Sequence, residues 1–251
     1  HVPLWRIVAA VATLALAIQP RSSDVLAGMA SPPGVRADGS TGELQGFVTI
    51  GSELPGRRMR VRPYDDLRPA LTSPANPSLH PETENIVVYI DSVGPAATPE
   101  PPPGPTFVMR QENEVFLPHV LPVPKGSTVS FPNGDPFFHN VFSLSKACSF
   151  DLGRYPRPSS KSVRFDRPGV VKVFCHLHSQ MSAVILVLEN RFFASPDTRG
   201  AYRIGGIPPG EYRVVVWHER AKPISRRVRV EVGRTSSLDF RVPVADTPAR
   251  D

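Results

Sequence analysis

Proline sets the first limit on what this chain can fold into. It fills 30 of the 251 positions, about 12% where about 5% is usual. Each proline lacks a backbone N–H and fixes φ, so frequent prolines break helices and leave short strands joined by turns. The alternation of side chains agrees. In Arg227-Val228-Arg229-Val230-Glu231-Val232 the valines take one face and the charges the other, and Leu238–Val242 repeats the pattern. Further strands are predicted at Leu44–Ile50, Ile86–Asp91, Thr128–Phe131, Ser162–Asp166, Val171–Cys175, Ala183–Leu188 and Tyr212–Trp217. No segment sustains a 3.6-residue period. Apolar residues make up 40% of the chain, enough for a core. Strands this short bury their apolar faces only by packing sheet on sheet, so the expected class is an all-β sandwich.

The amino end reads as an export signal. Arg6 precedes an uncharged apolar run from Ile7 to Ile18, with small residues at Val25-Leu26-Ala27 and Gly28-Met29-Ala30. Twelve residues are too few to cross a hydrocarbon core that needs about 20, and the layout is that of a secretory signal. Residues 1–30 are therefore expected to be a signal peptide and the mature protein to be periplasmic or otherwise exported. The first residue is His1 and not Met, which predicts a start further upstream. Residues 41–190 are expected to form one domain with Pro-rich insertions at 63–81 and 94–105, the alternative being that 41–92 form a small separate sandwich. A boundary near Asn190–Pro196 starts a second domain over 191–245.

The chemistry is concentrated in Phe174-Cys175-His176-Leu177-His178-Ser179-Gln180-Met181. Cys175 closes a valine-rich strand, and Met181 opens the next. A Cys-x-x-His-x-x-Met spacing brings thiolate, imidazole and thioether to one metal from a single turn. Thiolate plus two imidazoles, with a long axial thioether, is the ligand set of blue copper. The second imidazole must come from elsewhere, and His139, 36 residues before Cys175, is the candidate. Zinc also accepts two His and one Cys; only the thioether of Met181 argues for copper.

With these residues in view, Val123–Leu188 resembles the cupredoxin family of the plastocyanin and amicyanin type. His139-Asn140 matches its first copper ligand and the neighbouring asparagine; Cys175, His178 and Met181 match its carboxyl-terminal ligand loop. The resemblance implies a Greek-key cupredoxin β-sandwich, copper as cofactor, and metal ligands His139, Cys175, His178 and Met181. It also implies that Asn140 ties the two ligand segments together and that His178 is the solvent-proximal ligand. Ser179 stands where the family usually has Pro. His176, directly after the thiolate, is not a ligand in the family pattern and reads as an outer-sphere donor or a replacement ligand. Phe192–Val242, with Asp197-x-x-Gly200-x-Tyr202 and Ile207-Pro208-Pro209-Gly210-Glu211-Tyr212, resembles the carboxypeptidase regulatory-like, transthyretin-type sandwich. That family is normally non-catalytic and implies a second, smaller β-sandwich for packing or docking.

The expected function is one-electron transfer by an exported mononuclear copper protein that is not an enzyme. Four protein ligands leave no open position for substrate. Seven histidines do not supply a trinuclear copper site, and one cysteine in the loop does not supply a binuclear one. Two alternatives come from other classes. One is copper storage or delivery through the same ligands. The other is a metal-free, envelope-binding β-sandwich held by a Cys148–Cys175 disulfide. His119, flanked by apolar residues, reads as a structural histidine, and His218 as a sandwich histidine with a polar partner. Of the 29 basic residues 24 are Arg, against 23 acidic ones. Their alternation along strands argues for solvated faces and against nucleic-acid binding. The basic balance predicts an acidic redox partner protein and association with an anionic envelope surface.

Overall fold

A computed structural model describes residues 40–51, 82–93 and 105–243. The candidate signal at 1–30, the Pro-rich stretch 63–81 and all of 94–105 except Pro105 lie outside the described residues. Apart from one 3-10 turn at Glu82–Asn85, every regular element among the described residues is a strand. Two strands come first, β1 (Gly42–Gly51) and β2 (Val87–Ile90). Ten follow: β3 (Pro105–Val108), β4 (Arg110–Glu112), β5 (Val115–Leu117), β6 (Val120–Pro124), β7 (Ser127–Pro132), β8 (His139–Leu144), β9 (Ser149–Tyr155), β10 (Ser160–Phe165), β11 (Gly169–Phe174) and β12 (Ser182–Leu188). The last six are β13 (Phe193–Ala194), β14 (Ala201–Ile207), β15 (Gly210–His218), β16 (Ala221–Val230), β17 (Thr235–Ser237) and β18 (Phe240–Pro243).

The strands build two sandwiches, as the all-β expectation requires. In the first, a five-stranded sheet ordered β6-β12-β11-β8-β9 faces a three-stranded sheet ordered β10-β7-β3, and β4-β5 forms a hairpin. Its core includes Val129, Phe131, Phe165, Val171, Val173 and Ile185. In the second, one sheet is ordered β13-β2-β15-β16, and the other centres on β1, flanked by β14 on one edge and by β17 and β18 on the other. Leu44, Val48, Ile90, Ile204, Val214 and Phe240 belong to that core.

Strand pairing divides the chain differently from the expected spans. β1 and β2 fall within 41–190, yet β1 pairs with β14, β17 and β18, and β2 pairs with β13 and β15. The first sandwich occupies only β3 to β12 and is inserted into the second. Alternation fixes which face of a strand is buried but not which distant strand it pairs with, so both assignments suit the same pattern. The insertion is closed at its base. Ile90 N–H donates to Phe192 O at 2.9 Å, and Asn190 Nδ2 donates to Ile90 O at 2.8 Å. Phe192 N–H donates to Asn190 Oδ1 at 2.9 Å.

β12 joins the two sandwiches. Its run Ala-Val-Ile-Leu-Val-Leu is buried on both faces, which is why it reads as continuous apolar sequence and not as an alternation. Ala183, Ile185 and Val187 face the first core. Val184, Leu186 and Leu188 pack instead with Val87, Val120, Phe193 and Trp217 in a cluster formed by both sandwiches.

A charged bridge crosses the same seam. His119 donates from Nδ1 to Ser182 O and from Nε2 to Glu219 Oε1, both at 3.1 Å. Both partners are acceptors only, so the geometry is that of an imidazolium. The Glu219 hydrogen bond lifts His119 above its ordinary value of 6.5 against the opposing effect of burial, and the His119 hydrogen bond lowers Glu219 below 4.5. The folded-state value of His119 is the higher one. The bridge's stability is therefore fully present below pH 6.5 and lost as pH rises through the raised value; at the acid end it persists until pH falls through the lowered Glu219 value. His218, beneath it, has the opposite sign. Burial holds it below 6.5, it donates from Nε2 to Glu82 Oε1, and it accepts the Arg220 N–H at Nδ1, so it favours the fold when neutral. About a third of each bridge side chain is exposed (32% and 32%), which limits the pair to about 1 kcal/mol. Wild type is expected to lose about 2–4 °C in Tm, relative to a His119→Gln variant, as pH rises above 6.5. Parallel melting curves for the two proteins across that range would count against the bridge.

Candidate metal centre

Three predicted ligands meet at one end of the first sandwich. β11 turns Val171 and Val173 to its inner face, and Cys175, the residue after its end, keeps that period, so the thiol is buried as well, at 4% exposed. β8 begins with His139, which is fully buried. His178 sits in the turn between β11 and β12 and is half-buried. Backbone bonds close this turn: Met181 N–H donates to His178 O at 3.0 Å, and Cys175 N–H donates to Met181 O at 3.3 Å.

Cys175 Sγ lies 3.8 Å from His139 Nδ1 and 3.7 Å from His178 Nδ1, and the two Nδ1 atoms are 3.1 Å apart. A first-row ion with bonds of about 2.05 Å to imidazole and about 2.3 Å to thiolate, at the centre of a trigonal plane, needs S–N edges near 3.8 Å and an N–N edge near 3.6 Å. The two S–N edges match and the N–N edge is about 0.5 Å shorter, so the three residues come together closely enough to hold such an ion. They are also the one group of three or more His, Cys, Asp or Glu found able to hold a metal among the described residues. Met181 is 1% exposed and lies in the same core cluster as Cys175. Phe137 covers the centre, its ring 5.2 Å from that of His139 and 5.4 Å from that of His178.

Other predicted residues lie elsewhere. His176 is outside the trio: its ring stacks on Phe142 at 3.7 Å with a 2° interplanar angle, and its Nε2 stands 3.9 Å from Asp151 Oδ2. Asn140 Nδ2 donates to Asp151 Oδ1 at 2.6 Å and not to the 175–181 turn. The β8–β9 register shifts between Asn140 and Phe142, and Asp151 Oδ1 also accepts the Gly153 N–H at 2.8 Å. The Asn140 Oδ1 atom is buried without a hydrogen-bond partner. Cys148 and Cys175 are both free, so the expected alternative of a disulfide is corrected. Cys175 is turned toward the imidazoles, while Cys148 Sγ lies 4.0 Å from Arg164 O, and burial raises that thiol above its usual range.

Sequence reasoning missed Asp135. Its Oδ2 accepts from His139 Nε2 at 2.8 Å, with the imidazole fully buried and the carboxylate nearly so. Burial alone would raise this carboxyl. The Glu114 N–H, the His139 ring and the Asn113 N–H together outweigh burial and hold it below the usual carboxylate range. The available signal was an acid four residues before the first predicted histidine ligand, in the turn-forming run Asn133-Gly134-Asp135.

No protein-family model and no curated protein matches the chain. Solved structures do resemble part of it. A Cu-containing nitrite reductase from Thermus scotoductus SA-01 is 24% identical over 40% of this chain and 25% of that chain, with a TM-score of 0.33. A purple cupredoxin from Nitrosopumilus maritimus is 20% identical over 32% of this chain and 98% of that chain, with a TM-score of 0.30. A reduced mutant of amicyanin is 22% identical over 40% of this chain and 97% of that chain, with a TM-score of 0.32. The chain thus spans about a quarter of the nitrite reductase's length.

Proposed function

We propose that the first sandwich is a cupredoxin-type domain that binds one copper ion and transfers single electrons. The convergence of the Cys175 thiol and two imidazole Nδ1 atoms in one triangle, two of its three members buried, with Met181 closing the same turn, carries this reading. Copper, when bound, takes up and gives up one electron. The chain's own residues keep the first-ligand positions nearly fixed: Cys175 is set by strand β11, His139 by strand β8, and His178 by the backbone-closed turn. Fixed ligands suit a metal whose charge changes without a change of partners. His178 is the one member of the trio that reaches the surface, where the exposed Leu177 and Phe137 sit beside it in sequence and in space respectively. That makes it the exit for electrons. The second sandwich is a carboxypeptidase regulatory-like module. Its Asp197–Gly200 turn and Pro208-Pro209-Gly210 turn support that reading, and its role is to carry and dock the metal domain. Exposed arginines on β16, Arg226, Arg227 and Arg229, favour an acidic redox partner or an anionic envelope surface. The protein acts after export and is not an enzyme.

Titration of purified protein with cupric ion tests the proposal. One equivalent is expected to produce an intense thiolate-to-copper absorption in the visible region. A protein that stays colourless and retains no copper would overturn the reading.

A further inference from the structure

We infer that Asp135, held by the β4–β5 hairpin, is the positioning residue that presents His139 Nδ1 to the metal. The inference rests on the copper reading above and adds to it a role for this chain's own residues.

An imidazole can turn either nitrogen toward a metal, and the partner of the other nitrogen decides which. His139 Nε2 points at Asp135 Oδ2 at 2.8 Å inside the protein. A carboxylate only accepts, so the proton is on Nε2 and the lone pair on Nδ1, the atom that faces Cys175 and His178. Asp135 is itself fixed from three directions, twice at the carboxylate and once at the backbone. Asn113 N–H donates to its Oδ1 at 2.7 Å, Glu114 N–H donates to its Oδ2 at 3.0 Å, and its own backbone N–H donates to Asn133 Oδ1 at 2.9 Å.

The two donors in the hairpin come from an unusual backbone. Asn113 and Glu114 have φ of 55° and 58°, and glutamate is disfavoured there because its Cβ crowds the carbonyl. Such strain persists where surrounding structure enforces it. Here it aims two consecutive N–H groups at one carboxylate. The same residue reaches the other ligand segment, since Gln180 Nε2 in the ligand turn donates to Glu114 Oε2 at 2.6 Å. One hairpin therefore braces both ligand segments, the role expected of Asn140, whose side chain points to Asp151.

Competition titrations with cupric and with cuprous ion, on wild type, Asp135→Asn and Asp135→Ala, test this, with melting of each metal-free protein alongside. The asparagine is isosteric and keeps the fold measurable where the alanine does not. Losing an outer-sphere partner of a ligating histidine is expected to weaken cupric binding about 10–100-fold. Cuprous binding should weaken by a smaller factor, because removing a negative charge disfavours the more highly charged cupric ion more. The reduction potential therefore rises. Unchanged cupric affinity in Asp135→Asn would overturn the inference. So would equal losses for both ions accompanied by a lower metal-free Tm, the mark of a merely structural residue. A wild type that takes up no copper would instead bring down the proposed function, and this inference with it.

Discussion

Cys175→Ser is expected to abolish the visible absorption of the copper-loaded protein and to weaken cupric binding by more than the roughly 100-fold that a lost outer-sphere partner causes. The thiolate is the soft, charged member of the trio and the source of the charge-transfer band; a serine hydroxyl stays protonated near neutral pH and supplies neither property. The substitution changes little volume. Cys175 lies at the edge of a core built by Val171, Val173 and Ile185, so the metal-free fold should survive with a similar melting temperature. The second cysteine offers no rescue, because Cys148 Sγ faces Arg164 O and not the imidazoles. Retention of the colour in Cys175→Ser would show that another group supplies the ligand. Loss of the colour with unchanged metal-free melting would place the thiolate at Cys175. Zinc added to wild type should compete for the site without producing colour, since a filled d shell has no such transition.

What could be read in advance follows from range along the chain. The turn that carries the proposed ligands was legible because Cys175, His178 and Met181 lie within seven residues, and the backbone bonds that close the turn are local as well. His139 was legible as the remaining imidazole in a suitable context. The period-two alternation of β7, β11 and β16 gave the strands and their buried faces. The partner of β1 was not legible: Leu44 and Val48 announce a buried face, but only the closed sheet shows that the face belongs with Ile204 and Phe240. Asp135 was missed for a related reason. A lone aspartate beside Asn133 and Gly134 reads as turn chemistry, and its distinction comes from Asn113 and Glu114, some twenty residues earlier, bending into positive φ without a glycine to advertise it. Asn140 shows the reverse case. Its sequence neighbour is the predicted ligand His139, yet its own side chain bonds Asp151.

The second sandwich should be most sensitive at Gly200. Asp197 nucleates this turn, its Oδ1 accepting the Arg199 and Ala201 N–H groups at 2.9 Å each, and Gly200 N–H donates to Asp197 O at 2.8 Å. The turn then clips onto β1 through Val48 N–H and Gly200 O at 2.8 Å. Gly200 adopts φ of +84°, and a Cβ there would lie 2.2 Å from Val48 O. Gly200→Ala thus adds backbone strain of about 1–3 kcal/mol to overpacking of similar size against a backbone carbonyl. About 4 kcal/mol in a domain pair of this length corresponds to a fall of roughly 10 °C in Tm. Gly205, five residues further along β14, has an ordinary φ and nothing within 4 Å of a built Cβ. Gly205→Ala should therefore change Tm by no more than about 1–2 °C, because only the smaller intrinsic Gly-to-Ala difference remains. Equal effects at the two glycines would show that the close approach to Val48 does not exist. The comparison also tests the seam. Val184, Leu186 and Leu188 of the inserted sandwich are buried against Val87, Phe193 and Trp217 of the host. Unfolding the host exposes that face of β12, so in Gly200→Ala far-ultraviolet circular dichroism and the copper absorption should decay together at the lowered temperature. Colour that outlasts the loss of β signal would mean that the inserted sandwich stands without its host.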